Sequence, residues 1–300
     1  MRAQDAWYRK ELGDHWTQKF LNDYKALNMQ LPTQYVKATE TIPTIVQMIK
    51  GLVDGGYAYE KEGNAYFEIE KFRDYGKLSG LSKEQMLPIS AERGNDTHDL
   101  LKKSPLDFVL WQKSKEGEPS WDSPWSKGRP GWHIECSAMI FKHLGAQIDI
   151  HGGGADLTYP HHESEIAQSE SFTQKKPFVQ TWMHAAMLVY KGEKMSKSLG
   201  NMIFVSELLK TYSADAVRFV LLSHHYREVW EFEMEELIKA ENTVKLLKEK
   251  LGKNTEGDFA TLEAALEDDM DTPKALSYLK DSMSGDTLRK SLNLLGFTPE

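Results

Sequence analysis

The sequence predicts an α/β protein with a parallel sheet and a functional site at the ends of its strands. A short buried strand is predicted at 147–150 and runs directly into three glycines at 152–154. A second apolar stretch, 182–190, leads into a loop at 190–201 that carries three lysines and two serines. Strands that end in glycine-rich or charged loops, with helices between them, are typical of parallel sheets.

The first third of the chain predicts helices and a hairpin ahead of these strands. Pro32 ends the first helix, because proline lacks the N–H group that continues a helix. Thr41 is suited to cap the second helix, with Pro43 in its first turn. The predicted elements are a helix over 7–27, a helix over 42–55, a β-hairpin over 57–69 and an irregular or inserted segment over 70–104.

The other residues predict a packed aromatic tract and a series of helices. Four of the eight tryptophans lie within 111–132, which indicates a packed surface rather than a loose linker. Helical spacing of apolar residues dominates after Asn201. The predicted helices cover 205–211, 214–223, 233–251, 259–267 and 272–283, and a short tail runs to residue 300.

Composition describes an ordinary globular chain. Three hundred residues with 40% hydrophobic side chains suffice for one large domain or two modest ones. No stretch predicts a membrane span, and the polar N-terminus lacks the apolar core of a signal peptide. The single cysteine, Cys136, excludes an internal disulfide and fits a reducing compartment, so a cytoplasmic location is expected. A net charge of −8 gives no general attraction to RNA, which would have to rely on local basic patches.

The lysine-rich loop at 190–201 has the composition of a triphosphate-binding device. Lys194 and Lys197, together with Lys191, supply mobile positive charges, and the hydroxyls of Ser196 and Ser198 supply hydrogen-bond donors. The alternative is a solvated lysine loop, which is the commoner state of a random lysine cluster. The complete string Lys-Met-Ser-Lys-Ser favours the first interpretation.

Three residues form a candidate metal site. His161 and Glu165 are four residues apart, so a helix that opens after Pro160 places them on one face. With Cys136 they provide a thiolate, an imidazole and a carboxylate, a set that suits zinc better than magnesium or calcium. The alternatives are a buried apolar cysteine and a helix N-terminus with satisfied imidazoles.

Several collinear strings resemble cysteinyl-tRNA synthetases, a family of class I aminoacyl-tRNA synthetases. The lysine string resembles the class I signature loop, which closes over ATP and stabilises the departing pyrophosphate. The resemblance covers nearly all of this chain. The matching strings lie at 118–125, 128–136, 151–157, 160–169, 194–198, 225–227 and 268–273.

The resemblance implies a site for each substrate. Cys136, His161 and Glu165 would be three of four protein ligands of one zinc ion, which distinguishes the thiol of cysteine from the hydroxyl of serine. The residues implied for cysteine binding are Trp132, His133, His151 and His162, although His151 is comparably suited to capping its own loop. The residues implied for ATP binding are Gly154, Asp156, Lys194, Ser196 and Lys197, with Lys194 and Lys197 as the catalytic pair.

The implied reaction is the two-step charging of tRNA(Cys). L-Cysteine attacks Mg-ATP to give cysteinyl-adenylate and pyrophosphate, and the cysteinyl group then passes to the terminal adenosine of the tRNA. No protein nucleophile is needed, so positioning and charge stabilisation carry the rate. A monomer is expected. The related cysteine ligase of mycothiol biosynthesis and a non-catalytic zinc- or tRNA-binding paralogue are the alternatives, and the string at 268–273 favours the tRNA enzyme.

The family's other half-site is not found in this sequence. No His-Ile-Gly-His string occurs, His15 lacks its glycine context, and Cys136 is the only cysteine, so the fourth zinc ligand is not found either. We therefore expect a synthetase truncated or split at its N-terminus, inactive by itself and active with a separately encoded N-terminal half. The expected division is 1–40 helical remnant of the first catalytic half, 41–104 connective insertion, 105–201 second half of the Rossmann-like domain, 202–253 stem-contact helices and 254–300 truncated tRNA-binding bundle.

Overall fold

A computed structural model describes residues 3–195, 199–252, 257–282 and 284–298. It divides into two compact units. The first comprises Met1–Arg9 and Gln34–His184, and the second comprises Lys10–Thr33 and Ala185–Glu300. Helix α1 (Ala3–Ala26) contributes to both. None of the helices within the described ranges is long and apolar enough to cross a membrane.

The first unit contains a four-stranded antiparallel sheet covered by helix α2 (Ile42–Asp54). Its strands, in spatial order, are β1 (Ala58–Lys61), β2 (Asn64–Phe67), β3 (Phe108–Lys113) and β4 (Gly128–Pro130). Helix α2 buries Ile45, Met48, Ile49 and Leu52, which recur at helical spacing and face one core. The predicted hairpin at 57–69 is confirmed as β1 and β2.

The second half of the first unit carries the glycine-rich strand. Helix α4 (Trp132–His143) is followed by β5 (Ile148–Gly154), helix α5 (Glu163–Thr173) and β6 (Val179–Ala185). Strands β5 and β6 form a separate two-stranded sheet. The predicted strand at 147–150 is confirmed and extends through the glycines.

The second unit is mainly helical and has its own core. A small sheet contains β7 (Leu188–Tyr190), β8 (Glu193–Lys194) and β9 (Trp230–Glu231), with β7 antiparallel to β8 and parallel to β9. The helices are α6 (Val205–Leu208), α7 (Ala214–Leu222), α8 (Met234–Lys250), α9 (Phe259–Glu267), α10 (Thr272–Ser282) and α11 (Gly285–Leu294). Helices α7 and α8 pack closely, and leucines of α9, α10 and α11 complete the same core.

Three predictions of local structure are wrong. The stretch 182–190 is not one strand: β6 ends at Ala185, and the Ala186 N–H donates to Tyr226 instead of extending a ladder. The segment 70–104 contains helix α3 (Lys83–Glu92), which opens with a Ser82–Gln85 capping box. The tail predicted after 283 contains helix α11, which buries Leu288 and Leu292.

Candidate metal and substrate site

Two helix starts bring the predicted metal ligands together in the first unit. Gly131 precedes α4, so Cys136 lies slightly more than one turn into that helix. Residues 158–162 form an irregular turn before α5, and His161 is its penultimate residue. Glu165 follows in the first turn of α5. The predicted spacing of four residues therefore places the His161 and Glu165 side chains side by side, although the regular helix begins after His161.

One ligand atom from each of Cys136, His161 and Glu165 lies within 4.8 Å of the others. The carboxylate of Glu165 is completely buried, and His161 is nearly so. Glu165 Oε1 lies 2.7 Å from His161 Nε2, but no hydrogen bond of acceptable alignment reaches this oxygen within the described part of the chain. A buried, unbonded carboxylate oxygen next to an imidazole and a thiol fits a bound cation, and the S, N and O donors fit zinc.

The two acidic residues of this group, Glu165 and Cys136, differ in charge state. Burial by itself would raise the pKa of Glu165, but the imidazoles of His151 and His161 outweigh burial and lower it to about 2. Burial raises the pKa of the Cys136 thiol to about 12, assisted by the negative charges of Glu165 and Glu135. Glu165 is therefore an anion ready to bind a cation, whereas Cys136 must lose a proton to become a thiolate ligand.

An aromatic stack covers one side of the candidate metal group. The ring of Trp132 stacks on His161 with 4.5 Å between centroids and 16° between planes, and it remains 47% exposed. His133 Nδ1 lies 2.9 Å from His161 Nδ1. Burial, together with nearby His161, lowers the pKa of His133 to about 3, so this imidazole is neutral. Trp132 and His133, which both contact His161, also line a cleft of about 240 Å³.

A second set of histidines lies close to the Glu165 carboxylate. His151 Nε2 is 2.7 Å from Glu165 Oε2, and His162 Nδ1 is 2.8 Å from His184 Nε2. The ring of Trp182 stacks parallel to His184 and lies 4.9 Å from His151. Burial lowers the pKa of His162 to about 4. His184 and Trp182 are absent from the predicted site. The sequence signal for them was their spacing of two residues on one strand, which puts both on one face.

The predicted adenosine-binding residues lie at the end of β5. Gly154 is its last residue, and Asp156 follows in a short 3₁₀ turn. Asp156 Oδ2 accepts a hydrogen bond from Arg93 Nη1 at 3.1 Å, a contact that sequence reasoning missed because Arg93 lies just after α3 in the segment thought irregular. A Cβ atom at Gly153 would lie 2.8 Å from His162 Cε1, so glycine is required for this approach.

The lysine-rich loop lies in the second unit. Strands β7 and β8 join through Lys191 and Gly192, both with positive φ, which is the backbone of a type I′ hairpin turn. The Gly192 N–H donates to Glu231 Oε1 at 2.8 Å, and Lys194 ends the hairpin as an exposed residue of β8. The predicted residues Ser196 and Lys197, and also Ser198, lie outside the described residues.

Comparisons with known proteins show the family to which this chain is related. A family model described as the catalytic domain of class I (C) tRNA synthetases matches residues 2–242. A protein of Carboxydothermus hydrogenoformans named cysteine–tRNA ligase is 45% identical over 90% of this chain and 60% of its own length. One of Aquifex aeolicus with the same name is 42% identical over 89% of this chain and 58% of its own length. The chain thus spans about 60% of the length of such relatives.

Solved structures show the same fold at low sequence identity. A Mycobacterium tuberculosis methionyl-tRNA synthetase bound by methionyl-adenylate has a TM-score of 0.59 at 14% identity, over 92% of this chain and 69% of that chain. A putative arginyl-tRNA synthetase from Campylobacter jejuni has a TM-score of 0.56 at 15% identity, over 93% of this chain and 66% of that chain. The predicted fold class, a Rossmann-like class I synthetase architecture with an α-helical C-terminal region, is therefore confirmed.

Proposed function

The chain belongs to the family of class I (C) tRNA synthetase catalytic domains, and on that premise we propose that it forms the cysteine-recognising part of a cysteine–tRNA ligase. The reaction is the ATP-dependent activation of L-cysteine and its transfer to tRNA(Cys), in the cytoplasm and by a monomer. The names of its relatives favour this reaction over the amino-sugar ligase of mycothiol biosynthesis and over a non-catalytic binding role. The observation that carries the proposal is the buried group of Cys136, His161 and Glu165, which lies next to Trp132 and His133 of a small cleft.

The metal group supports recognition of a thiol. Cys136, His161 and Glu165 would hold Zn²⁺, with Glu165 Oε1 available as the carboxylate donor. Bound zinc would supply a soft Lewis acid that binds the cysteine thiolate and discriminates against the harder hydroxyl of serine. Shape alone would separate these amino acids poorly, because they differ by one atom. The metal is therefore proposed as a specificity element rather than as a hydrolytic centre.

The surrounding side chains would hold the amino acid. The half-exposed ring of Trp132 offers a flat apolar surface to the substrate, and the neutral imidazole of His133 offers a hydrogen bond without a competing positive charge. His151 and His162 each have a ring nitrogen within 4.8 Å of a Glu165 carboxylate oxygen, and they would orient the carboxylate and exclude water. None of these groups needs to form a covalent bond with the substrate.

Two sets of residues are proposed to bind ATP. Gly154 and Asp156 are proposed to approach the adenosine, with Arg93 fixing the orientation of the Asp156 carboxylate. Lys194, Ser196 and Lys197 are proposed to bind the triphosphate of Mg-ATP and to stabilise the pyrophosphate as it leaves. The His-Ile-Gly-His motif of class I synthetases does not occur in this sequence. We propose that a segment carrying that motif takes part in the reaction, on a separately encoded chain or on the same protein.

Amino-acid-dependent exchange of pyrophosphate into ATP tests this proposal. The chain is mixed with zinc and with a segment that carries the His-Ile-Gly-His motif, and exchange is measured with L-cysteine and with L-serine. We expect exchange with L-cysteine but not with L-serine. In the His161→Ala variant, the exchange rate with L-cysteine should fall at least about 100-fold. The matched control is His143→Ala, an exposed histidine at the end of α4, which should retain full exchange. Equal exchange with both amino acids would contradict the proposal.

A further inference from the structure

Two of the sequence strings that resemble the synthetase family have no part in the proposed reaction. They meet in the second unit. The first is 225–227, just before β9, and the second is 268–273, which links α9 to α10. They are separated by about forty residues, yet Asp269 of the second string contacts every residue of the first. We refer to Asp269 with His225, Tyr226 and Arg227 as the Asp269 clamp.

The carboxylate of Asp269 accepts three hydrogen bonds. Arg227 donates from Nε to Oδ2 at 2.5 Å and from Nη2 to Oδ1 at 3.0 Å, and the Tyr226 hydroxyl donates to Oδ1 at 2.6 Å. The backbone carbonyl of Asp269 also lies 3.2 Å from His225 Nε2, while His225 Nδ1 lies 3.3 Å from the Arg227 N–H. These distances fit one neutral tautomer, in which Nε2 donates and Nδ1 accepts. The clamp is therefore internally consistent.

The clamp holds a turn that is unfavourable by itself. Asp269 and Met270 both have positive φ, at +53° and +54°. Residues with side chains adopt this conformation at a cost, and two in succession require support from the surroundings. An isolated exposed ion pair supplies little stability, but a two-pronged arginine contact reinforced by a hydroxyl and an imidazole is a stronger and more directional arrangement. Contacts with residues 225–227 therefore stabilise the turn at Asp269 and Met270. The same contacts hold residues 225–227 in place.

Residues 226–231 also contact the segment that carries Lys191 and Lys194. We refer to this segment, residues 186–194, as the lysine hairpin. The Tyr226 carbonyl accepts the Ala186 N–H at 2.7 Å, two residues before β7. Strand β9, which follows the string, runs parallel to β7 and pairs Leu188 with Trp230. The Gly192 N–H at the tip of the hairpin donates to Glu231 of β9. The backbone that carries Lys191 and Lys194 is therefore anchored at its base and at its tip by residues 226–231.

We propose that Asp269 is a positioning residue for the lysine hairpin, 186–194, and that it acts through Tyr226 and Arg227. The claim about ATP rests on the proposed function, whereas the claim about the hairpin stands on the hydrogen bonds alone. Asp269 does not touch a substrate in this scheme. Its role is to fix the strand pair β7–β9, so that the lysines approach the triphosphate from a defined direction.

Hydrogen exchange of single backbone amides in the full chain tests the proposal. The variant is Asp269→Asn, because asparagine tolerates positive φ yet cannot serve as the anionic partner of Arg227. We expect the Ala186 amide to exchange at least about tenfold faster, while the Ala275 amide in α10 stays within about twofold. The matched control is Asp268→Asn. The Asp268 carboxylate is 74% exposed, and Lys274 Nζ lies 3.8 Å away from it, so this ion pair is weak. An unchanged Ala186 amide, an equal acceleration of Ala186 and Ala275, or the same effect in the control would overturn the proposal.

Two further measurements separate positioning from general stability. Arg227→Gln should accelerate Ala186 exchange to the same extent, and the double variant with Asp269→Asn should be no worse than either single variant. The affinity for Mg-ATP is then measured for the wild type, Asp269→Asn and Lys194→Ala. About tenfold weaker binding by both variants is expected. If Lys194→Ala binds ATP as tightly as the wild type, the proposed role of the lysines fails, and the exchange of Ala186 still decides the role of Asp269.

Discussion

Zinc binding to the group of Cys136, His161 and Glu165 should become tighter as the pH rises. The structure gives the expected slope of zinc affinity against pH. In the metal-free protein, burial raises the pKa of the Cys136 thiol to about 12, whereas the pKa of Glu165 is lowered to about 2. Between about pH 7.5 and 9, Glu165 is ionised and the thiol is protonated. Each bound zinc ion must then displace one proton from Cys136, so the apparent affinity should rise about tenfold per pH unit.

The size of this pH dependence distinguishes the Cys136 thiol from a thiol with an ordinary pKa. A slope of one gives about 30-fold tighter zinc binding at pH 9 than at pH 7.5, or about 2 kcal/mol. A thiol with the usual pKa near 9 would already approach a plateau at the upper end of this range. Cys136→Ser should bind zinc more weakly and lose the slope. Glu165→Gln should also bind zinc more weakly but keep the slope, because Glu165 is ionised throughout.

The assay is competition with a chromophoric zinc chelator at several pH values, with direct measurement of proton release in weak buffer. We expect close to one proton released from Cys136 per zinc ion. His143→Ala is the matched control and should follow the wild type. An affinity that is flat between pH 7.5 and 9, or an equal slope in Cys136→Ser, would refute the assignment of Cys136 as a ligand.

Two further predictions concern the packing that supports the site. In Gly131→Ala, the new Cβ would lie 1.9 Å from the Val109 carbonyl oxygen, so thermal unfolding should show a loss of about 2 kcal/mol in the free energy of unfolding. The control Gly13→Ala, in the exposed part of α1, should gain about 0.5 kcal/mol. Equal stability of the two variants would contradict this prediction. In Tyr159→Phe, the buried Ser90 hydroxyl loses its 2.6 Å partner, so denaturant unfolding should show a loss of about 1–2 kcal/mol. Most of that loss should disappear when the change is made in a Ser90→Ala background, and an undiminished loss there would argue against the contact.

Local patterns of the sequence predicted some of the side-chain proximities that the structure shows. The spacing of His161 and Glu165 was sufficient to predict that the two side chains meet, because four residues make about one helical turn. The hairpin at 57–69 and the helix at 259–267 followed from alternation and from helical spacing, respectively. The position of Cys136 beside them could not be derived from spacing, since it depends on how α4 packs on α5. The resemblance to a known family supplied that information.

Contacts between distant segments could not be predicted from local patterns. His184 meets His162 across 22 residues, and Arg93 meets Asp156 across 63. No periodicity links such residues, because their proximity is set by sheet pairing and by the packing of α3. The apolar stretch 182–190 failed for a related reason. Its composition suits a strand throughout, and the break after Ala185 coincides with a tertiary contact, the hydrogen bond from the Ala186 N–H to the Tyr226 carbonyl.

The affinity of the zinc-loaded chain for L-cysteine, compared with that for L-serine, tests the central claim most directly. Calorimetric titration should show cysteine binding at least about 100-fold more tightly, a difference of about 2.7 kcal/mol. Removal of zinc with a chelator, or the His161→Ala change, should abolish that preference. Equal affinities for the two amino acids, or a cysteine preference that survives without zinc, would contradict the account of this site as a thiol-selective metal centre.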